Sequence, residues 1–572
     1  MFDLLPQDAT ELTDWSWAEF EPYYSDLTDR IMDADSVNGF LADWTRISEL
    51  VDEAFSRLHV ATTINTIDKE AEKKYHHFLD RVYPKAEEAE QRLRQKLLAY
   101  GSVPADFEIP LLKMRSEAEL FREANLPLFV EEHKLSMEYD KIIGAQTVQW
   151  EGKEVTVVQL KPVYQNPDRD LREGAWRLAL HRHLDDRGAI GDLWKKFMSL
   201  RLDLATNAGF DEYRSFRWKQ LQRFDYTPSD CTRFHEAIER VVVPMATRIC
   251  ERRRKLLGLK SLRPWDMEVD PHGRPPLKPF SDVSELEAAA SSIFHHVDPV
   301  LGADFEKMIQ EHLLDLDNRK NKAPGGYCTE FAAIKRPFIF MNAVGVHDDV
   351  QTILHESGHA FHAFERAHLP YYQQRHVNME FAEVASMAME FLASPYLARE
   401  QGGFYSEADA ARAVCEHLER SILFWPYMAV VDAFQHWVYG RPSDSVDPSR
   451  CDAYWASVWK RFMPWIDWSG LDEELRTGWQ RKLHIHTVPF YYVEYGLAQL
   501  GAAQVWGNAL KDQAAAVASY RRALALGGTV GLPALYSTAG AQFSFDPEVL
   551  KRTADLLMDK IDRLNQIAES KH

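Results

Sequence analysis

The decisive stretch reads Ile353-Leu354-His355-Glu356-Ser357-Gly358-His359-Ala360-Phe361-His362. Apolar and charged residues recur through Val350 to Arg366 at helical spacing, which predicts a helix there. His355 and His359 are four apart, so they share one face, roughly 40° apart around the axis. Two imidazoles so placed can reach one cation. Glu356 follows the first histidine and lies beside that cation, placed to take a proton from a water. A chance His-Glu-x-x-His occurs in roughly one chain in ten of this size, so the motif needs support.

Support comes from Asn378 to Ala393, read as N-M-E-F-A-E-V-A-S-M-A-M-E-F-L-A. Apolar residues coat nearly its whole circumference, which predicts a buried helix. Glu383 and Glu390 sit inside it, seven apart on one face. A buried carboxylate needs a cation or a dense set of donors, because losing its hydration is costly. Two histidines and one glutamate form a catalytic zinc set with a fourth position open. Glu383 follows His359 by enough chain for an antiparallel return. A third histidine ligand of the metzincin kind needs Gly at 362 and His at 365. This chain has His362 and Glu365. His362 either orients a ligand or packs structurally. Glu390 either holds a ligating imidazole or is a satisfied core carboxylate.

Outward from this pair the chain is mainly helical. Phe78, Val82, Ala86, Ala89, Leu93 and Leu97 recur at three and four within Asp68 to Tyr100, an amphipathic helix. Thr147 to Leu160, turning at Glu151-Gly152-Lys153, predicts a small hairpin. Helix resumes from Asp168 to Ala208. The Pro-rich stretch Arg263 to Phe280 predicts a long loop and a candidate internal boundary. Tyr327 to Ile334 and Pro337 to Asn342 predict an antiparallel pair turning near Lys335-Arg336. Helix then follows helix to the C-terminus.

Composition narrows the classes. The 572 residues are 45% hydrophobic and 27% charged, the balance of a globular protein. A net charge of −20 argues against a nucleic-acid partner. Five cysteines, with no Cys-x-x-Cys pair, form neither a disulfide framework nor a thiolate zinc cluster. Met1 to Glu19 lacks a basic patch followed by an apolar run, and no stretch approaches the ~20 apolar residues of a membrane span. These features predict a cytoplasmic protein with no membrane partner; its oligomeric state is left open.

The segment H-E-S-G-H-A-F-H, followed by F-A-E-V-A-S, resembles the thimet oligopeptidase / oligoendopeptidase F family of zinc peptidases. Lys322-Ala323-Pro324-Gly325-Gly326-Tyr327-Cys328 resembles that family's glycine-rich strand entrance. Pro337 to Asn342 resembles the strand leading to the metal helix. His486-Thr487-Val488-Pro489-Phe490-Tyr491-Tyr492-Val493-Glu494-Tyr495 resembles its C-terminal His/Tyr motif, nearest the oligoendopeptidase F branch. The likeness runs from about Gln165 to the C-terminus, and the first ~140 residues match only as a helical domain.

The resemblance implies a mainly α fold with a small β-sheet. A zincin-like (gluzincin) core would sit in a two-lobed helical shell around a deep substrate channel. It implies an N-terminal helical domain over 1–140 forming one wall and a catalytic region over 141–572. That region would hold the metal helices at 350–393 and the His/Tyr motif at 484–495. His355, His359 and Glu383 would hold one zinc ion per chain. Glu356 would act as general base and then general acid on the activated water, and His486, Tyr492 and Tyr495 would stabilise the oxyanion. Tyr491, the spare tyrosine for the oxyanion, would contact the substrate, and His484 competes with His486. Gly326 and Tyr327 would offer backbone to an extended substrate, although a plain turn before a strand reads equally well. The implied activity is endopeptidase cleavage of short unstructured peptides. The alternatives are a peptidyl-dipeptidase using Lys335 or Arg336 to grip a terminal carboxylate, and a non-catalytic peptide-binding relative.

Overall fold

The computed structural model describes residues 1–570. It is mainly α with two small sheets, as the patterning requires. Contacts divide the chain into two compact units, each built from three segments. The first comprises 1–118, 277–413 and 498–543; the second comprises 119–276, 414–497 and the C-terminal segment from 544. The junction between units at Pro276 and Leu277 falls inside the Pro-rich stretch.

In the first unit, the N-terminal helices pack Phe20, Phe40, Leu41, Trp44, Ile47 and Leu50 into one apolar cluster. All six periodic residues from Phe78 to Leu97 belong to that cluster. The predicted helix is not continuous, however. It runs as Lys69–His77, a π-turn over Phe78–Val82, and Tyr83–Tyr100. Pro84 lacks an amide hydrogen and opens the second segment, which removes one i→i−4 bond and leaves room for the wider turn.

The same unit holds a three-stranded sheet. Tyr327–Phe331 pairs antiparallel with Arg336–Ala343, turning through Lys335 at φ +54°. Leu314–Asp317 pairs parallel on the other side of Arg336–Ala343, which makes the longest strand central. Tyr327–Phe331 is therefore an edge strand. Its entrance loop is tied to the end of the Val37–Ile64 helix, with the Ala323 amide donating to the Thr63 carbonyl at 2.8 Å. The Tyr327 hydroxyl lies 2.6 Å from Thr63 Oγ1.

In the second unit, the predicted hairpin forms between Thr147–Trp150 and Lys153–Thr156. Glu151 and Gly152 both take positive φ, 51° and 78°, the type I′ pattern that matches strand twist. From Val157 the chain coils into a 3₁₀ segment, not a longer strand. The remainder is helical and includes Pro228–Leu256 and the His484 to Tyr495 region. Among the described residues no helix is long and apolar enough to cross a membrane.

Candidate metal centre

The central strand ends at Ala343 and the chain turns directly into the helix His347–Arg366. Asp349 fixes that turn: one carboxylate oxygen accepts from the amides of Val344, Gly345 and Val346 at 2.8, 2.9 and 3.0 Å. The helix begins three residues earlier than the apolar pattern indicates, because this carboxylate satisfies amides that the pattern does not register.

The helix Met379–Ala393 packs against it, and Gly358 permits the approach. A β-carbon there would lie 2.5 Å from both the Ala385 carbonyl oxygen and the Ser386 α-carbon. Glycine is used for room and not for backbone freedom. Tyr520 secures the far helix by donating to the Ala385 carbonyl at 2.7 Å. Glu383 then faces the histidine pair from a buried position.

His355 Nε2 and His359 Nε2 lie 3.4 and 3.7 Å from Glu383 Oε2. The three donor atoms all fall within 4.8 Å of one another. Tetrahedral bonds of about 2.0–2.1 Å imply ligand–ligand edges near 3.4 Å, so the set fits one divalent cation. His355 Nδ1 is 2.6 Å from Glu390 Oε1. With a cation bound, an N–H donated there would leave Nε2 free to present its lone pair to the shared centre. Glu390 thus touches the outer nitrogen of a candidate ligand. Ser386 Oγ donates to Glu383 Oε2 at 3.0 Å. His362 stays outside the group; it is buried against Phe381.

Electrostatics follow this wiring. Burial works against protonation of His355, but hydrogen bonds to Glu383 and Glu390 outweigh it and raise its pKa well above the ordinary value. Burial brings His359 down to about 4. Burial opposes the Glu383 charge, yet the histidines and Ser386 hold its pKa at about 2. Burial lifts Glu356 to about 7, with His355 opposing and the Glu383 and Glu390 charges adding. The Cys328 amide of the edge strand donates to Glu356, so the base and the strand edge are adjacent. Gly326 at the strand's entrance is exposed, and the Tyr327 ring stacks on Phe340.

The second unit gathers His484, Tyr491, Tyr492 and Tyr495. The His484 ring centre lies 5.8, 5.1 and 6.1 Å from the three tyrosine rings. His486 is not in this group. It is fully buried, stacked on Tyr139 at 4.4 Å and on Trp479 at 5.6 Å. Tyr492 is buried, with its hydroxyl accepting from Lys482 Nζ at 2.7 Å. Tyr491 and Tyr495 are half-buried, with rings 5.2 Å apart. Burial, aided by Lys482, lowers the His484 pKa to about 4 and keeps it neutral at pH 7.

Comparisons with known proteins place the chain in a family and match its fold. The pattern of peptidase family M3 matches residues 163–554, and that of the peptidase M3 N-terminal domain matches residues 9–104. Oligopeptidase PepF of Bacillus subtilis (strain 168) is 22% identical over 333 residues, 57% of this chain. The match spans 47% of that relative, so this chain covers about half the length of the curated relative it matches. A solved structure of PZ peptidase A with an inhibitor superposes with TM-score 0.86 at 26% identity, covering 98% of this chain and 99% of that one. A structure assigned to oligoendopeptidase F gives TM-score 0.86 at 27% identity and 98% coverage of both chains. An oligoendopeptidase F from Bacillus anthracis str. Ames shares the fold at 22% identity, with TM-score 0.80 and 97% coverage of both. On the match over 163–554, joined by the N-terminal domain, the chain belongs to peptidase family M3.

Proposed function

We propose that this peptidase is a zinc-dependent oligoendopeptidase that hydrolyses internal bonds of short, unstructured peptides. The observation carrying the reading is the convergence of His355, His359 and Glu383, with Glu356 beside them. His355, His359 and Glu383 would hold zinc, one ion per chain at this centre. When bound, zinc supplies Lewis acidity that acidifies a water and polarises the scissile carbonyl. Glu356 takes the proton of the attacking water and delivers it to the leaving amine. Glu390 keeps the His355 tautomer fixed through the cycle.

The edge strand Tyr327–Phe331 suits an extended substrate, which would add as a further strand beginning near Gly326. That would bring the peptide backbone beside Glu356. The family resemblance assigns the oxyanion donors to the histidine–tyrosine cluster. Its internal geometry favours His484 over His486. Tyr492, whose hydroxyl accepts from Lys482 and keeps its own proton, and the half-buried Tyr495 and Tyr491 all lie around that imidazole. A neutral imidazole and a phenol both donate to a developing oxyanion.

The exopeptidase alternative loses support. Arg336 is paired with Glu311 at 2.7 Å, and Lys335 donates to the Ala367 carbonyl at 2.9 Å. The Arg336 charge is thus already paired, and Lys335 is tethered to the protein's own backbone. None of the five cysteines is in a disulfide, consistent with the reducing cytoplasm proposed as its compartment.

The test is digestion of a peptide panel with mass spectrometry. Chelator-sensitive cleavage at internal bonds of peptides under ~20 residues is expected, with folded proteins left intact. Products always two residues from the C-terminus would refute the endopeptidase reading. An untouched panel with metal-replete protein would refute peptidase activity altogether.

A further inference from the structure

A second group of metal-binding side chains lies in the second unit. Cys231 and His235 stand four apart on the helix Pro228–Leu256. Asp432 and His436 stand four apart on the helix Glu407–Gly440. Each pair therefore shares one helix face, the spacing that lets two residues reach one ion. Donor atoms of Cys231, Asp432 and His436 all fall within 4.8 Å of one another. His436 Nε2 is 3.3 Å from Asp432 Oδ2, close to the edge of a tetrahedral zinc site. His235 Nε2 lies 2.7 Å from the same oxygen, as a partner holding a ligating carboxylate would.

The setting is dry. Cys231 and Asp432 are completely buried, and His235 is 4% exposed. Phe462 and Phe490 pack edge-on against the two imidazoles. Asp432 Oδ1 is buried without a hydrogen-bond partner. A buried carboxylate oxygen in that condition costs free energy unless a cation is present. A thiolate and a carboxylate together carry the two negative charges that neutralise a divalent ion, so the loaded cluster is neutral inside an apolar core. Without metal, the alternative is an ion pair between Asp432 and one protonated imidazole. That arrangement leaves Oδ1 unsatisfied.

We propose that Cys231, Asp432 and His436 bind a second, structural divalent cation, thiophilic and best matched by zinc, with His235 orienting the carboxylate. The fourth position falls to Asp432 Oδ1, through chelation by both carboxylate oxygens. The site would clamp two helices of the second unit. It also bears on the tyrosine cluster. Gln435, between the two ligands of its helix, accepts from the Phe490 amide at 2.7 Å, and Phe490 takes φ +65° immediately before Tyr491. The proposal stands independently of the peptidase reading, because it uses none of its residues.

The full-length chain tests it directly. Elemental analysis after zinc loading should find about two ions per chain in the wild type and about one in Cys231→Ser. X-ray absorption should show a sulfur neighbour at about 2.3 Å, which a His, His, Glu centre cannot supply. The double variant His355→Ala/His359→Ala isolates the second site. It should keep about one zinc with the sulfur neighbour and gain thermal stability when zinc is added. These measurements on unaltered Cys231 decide the matter even where Cys231→Ser fails to fold. Absence of the sulfur neighbour from the wild type, or a metal-free double variant, would overturn the proposal.

Discussion

A β-carbon on Gly358 would come within 2.5 Å of the Ala385 carbonyl oxygen, so the two metal helices touch backbone to backbone at that point. The obstructing atoms are main chain and cannot rotate aside. Gly358→Ala must push the helices apart. Glu383 rides on one helix and both histidines on the other, so zinc affinity should fall together with stability, the latter by about 1–3 kcal/mol. Calorimetric titration of zinc alongside a denaturation curve reads both. Loss of neither would mean that the helices already have slack.

Glu390→Gln keeps the shape but weakens the hold on His355 Nδ1. Zinc affinity should drop about 10–100-fold while the fold persists. Unchanged affinity would make Glu390 a bystander.

Glu356→Gln separates binding from turnover. Zinc content should match the wild type, while kcat falls by about 10²–10⁴. Turnover at the wild-type rate would remove Glu356 from the base role.

The two nearby histidines should fail in different ways. His484→Ala should fold normally and lose about 10²–10³ in kcat. His486→Ala empties a fully buried ring site and should cost about 2–4 kcal/mol of stability. Each surviving folded molecule should still turn over near the normal rate. The reverse pattern would return the catalytic role to His486.

Asp52 offers a pH signature away from the metal. Burial, reinforced by the Glu330 charge, raises its folded pKa to about 7 from 3.8, although a hydrogen bond from Tyr372 and the Arg366 charge oppose the shift. Between those values the folded state holds more protons than the unfolded state. Stability therefore falls as pH rises through that window. Asp52→Asn should be more stable than the wild type at pH 7 and show little advantage near pH 4. Melting curves at the two pH values check this, and a pH-independent difference would contradict it.

The convergence of His355, His359 and Glu383 was legible because its information is local: two histidines on one helix face, and a carboxylate inside an apolar helix. The hairpin and the antiparallel pair were legible from alternation and turn residues. The histidine of the tyrosine cluster was not, for a geometric reason. His484 and His486 are two apart on a short helix, which puts them on nearly opposite faces. Distance along the chain does not say which face meets the tyrosines; packing against Tyr139 and Trp479 does. Leu314–Asp317 is too short and too acidic to register as a strand, and its pairing is non-local. The Cys231 cluster left a faint signal, a Cys-x-x-x-His and an Asp-x-x-x-His. Those pairs lie about two hundred residues apart in the chain, and only the fold joins them.

The division of each unit among three chain segments also sets an order of events during synthesis. The helix bearing His355 and His359 leaves the ribosome well before Tyr520, whose hydroxyl anchors the Ala385 carbonyl behind Glu383. Between them the chain must deliver 414–497, which belongs to the other unit. A chain that stops before Tyr520 therefore carries the His355-Glu356-x-x-His359 segment without the anchor behind Glu383. The Glu383 helix would then be steadied only after Tyr520 has been made, so fragments ending before it would be poor proteases.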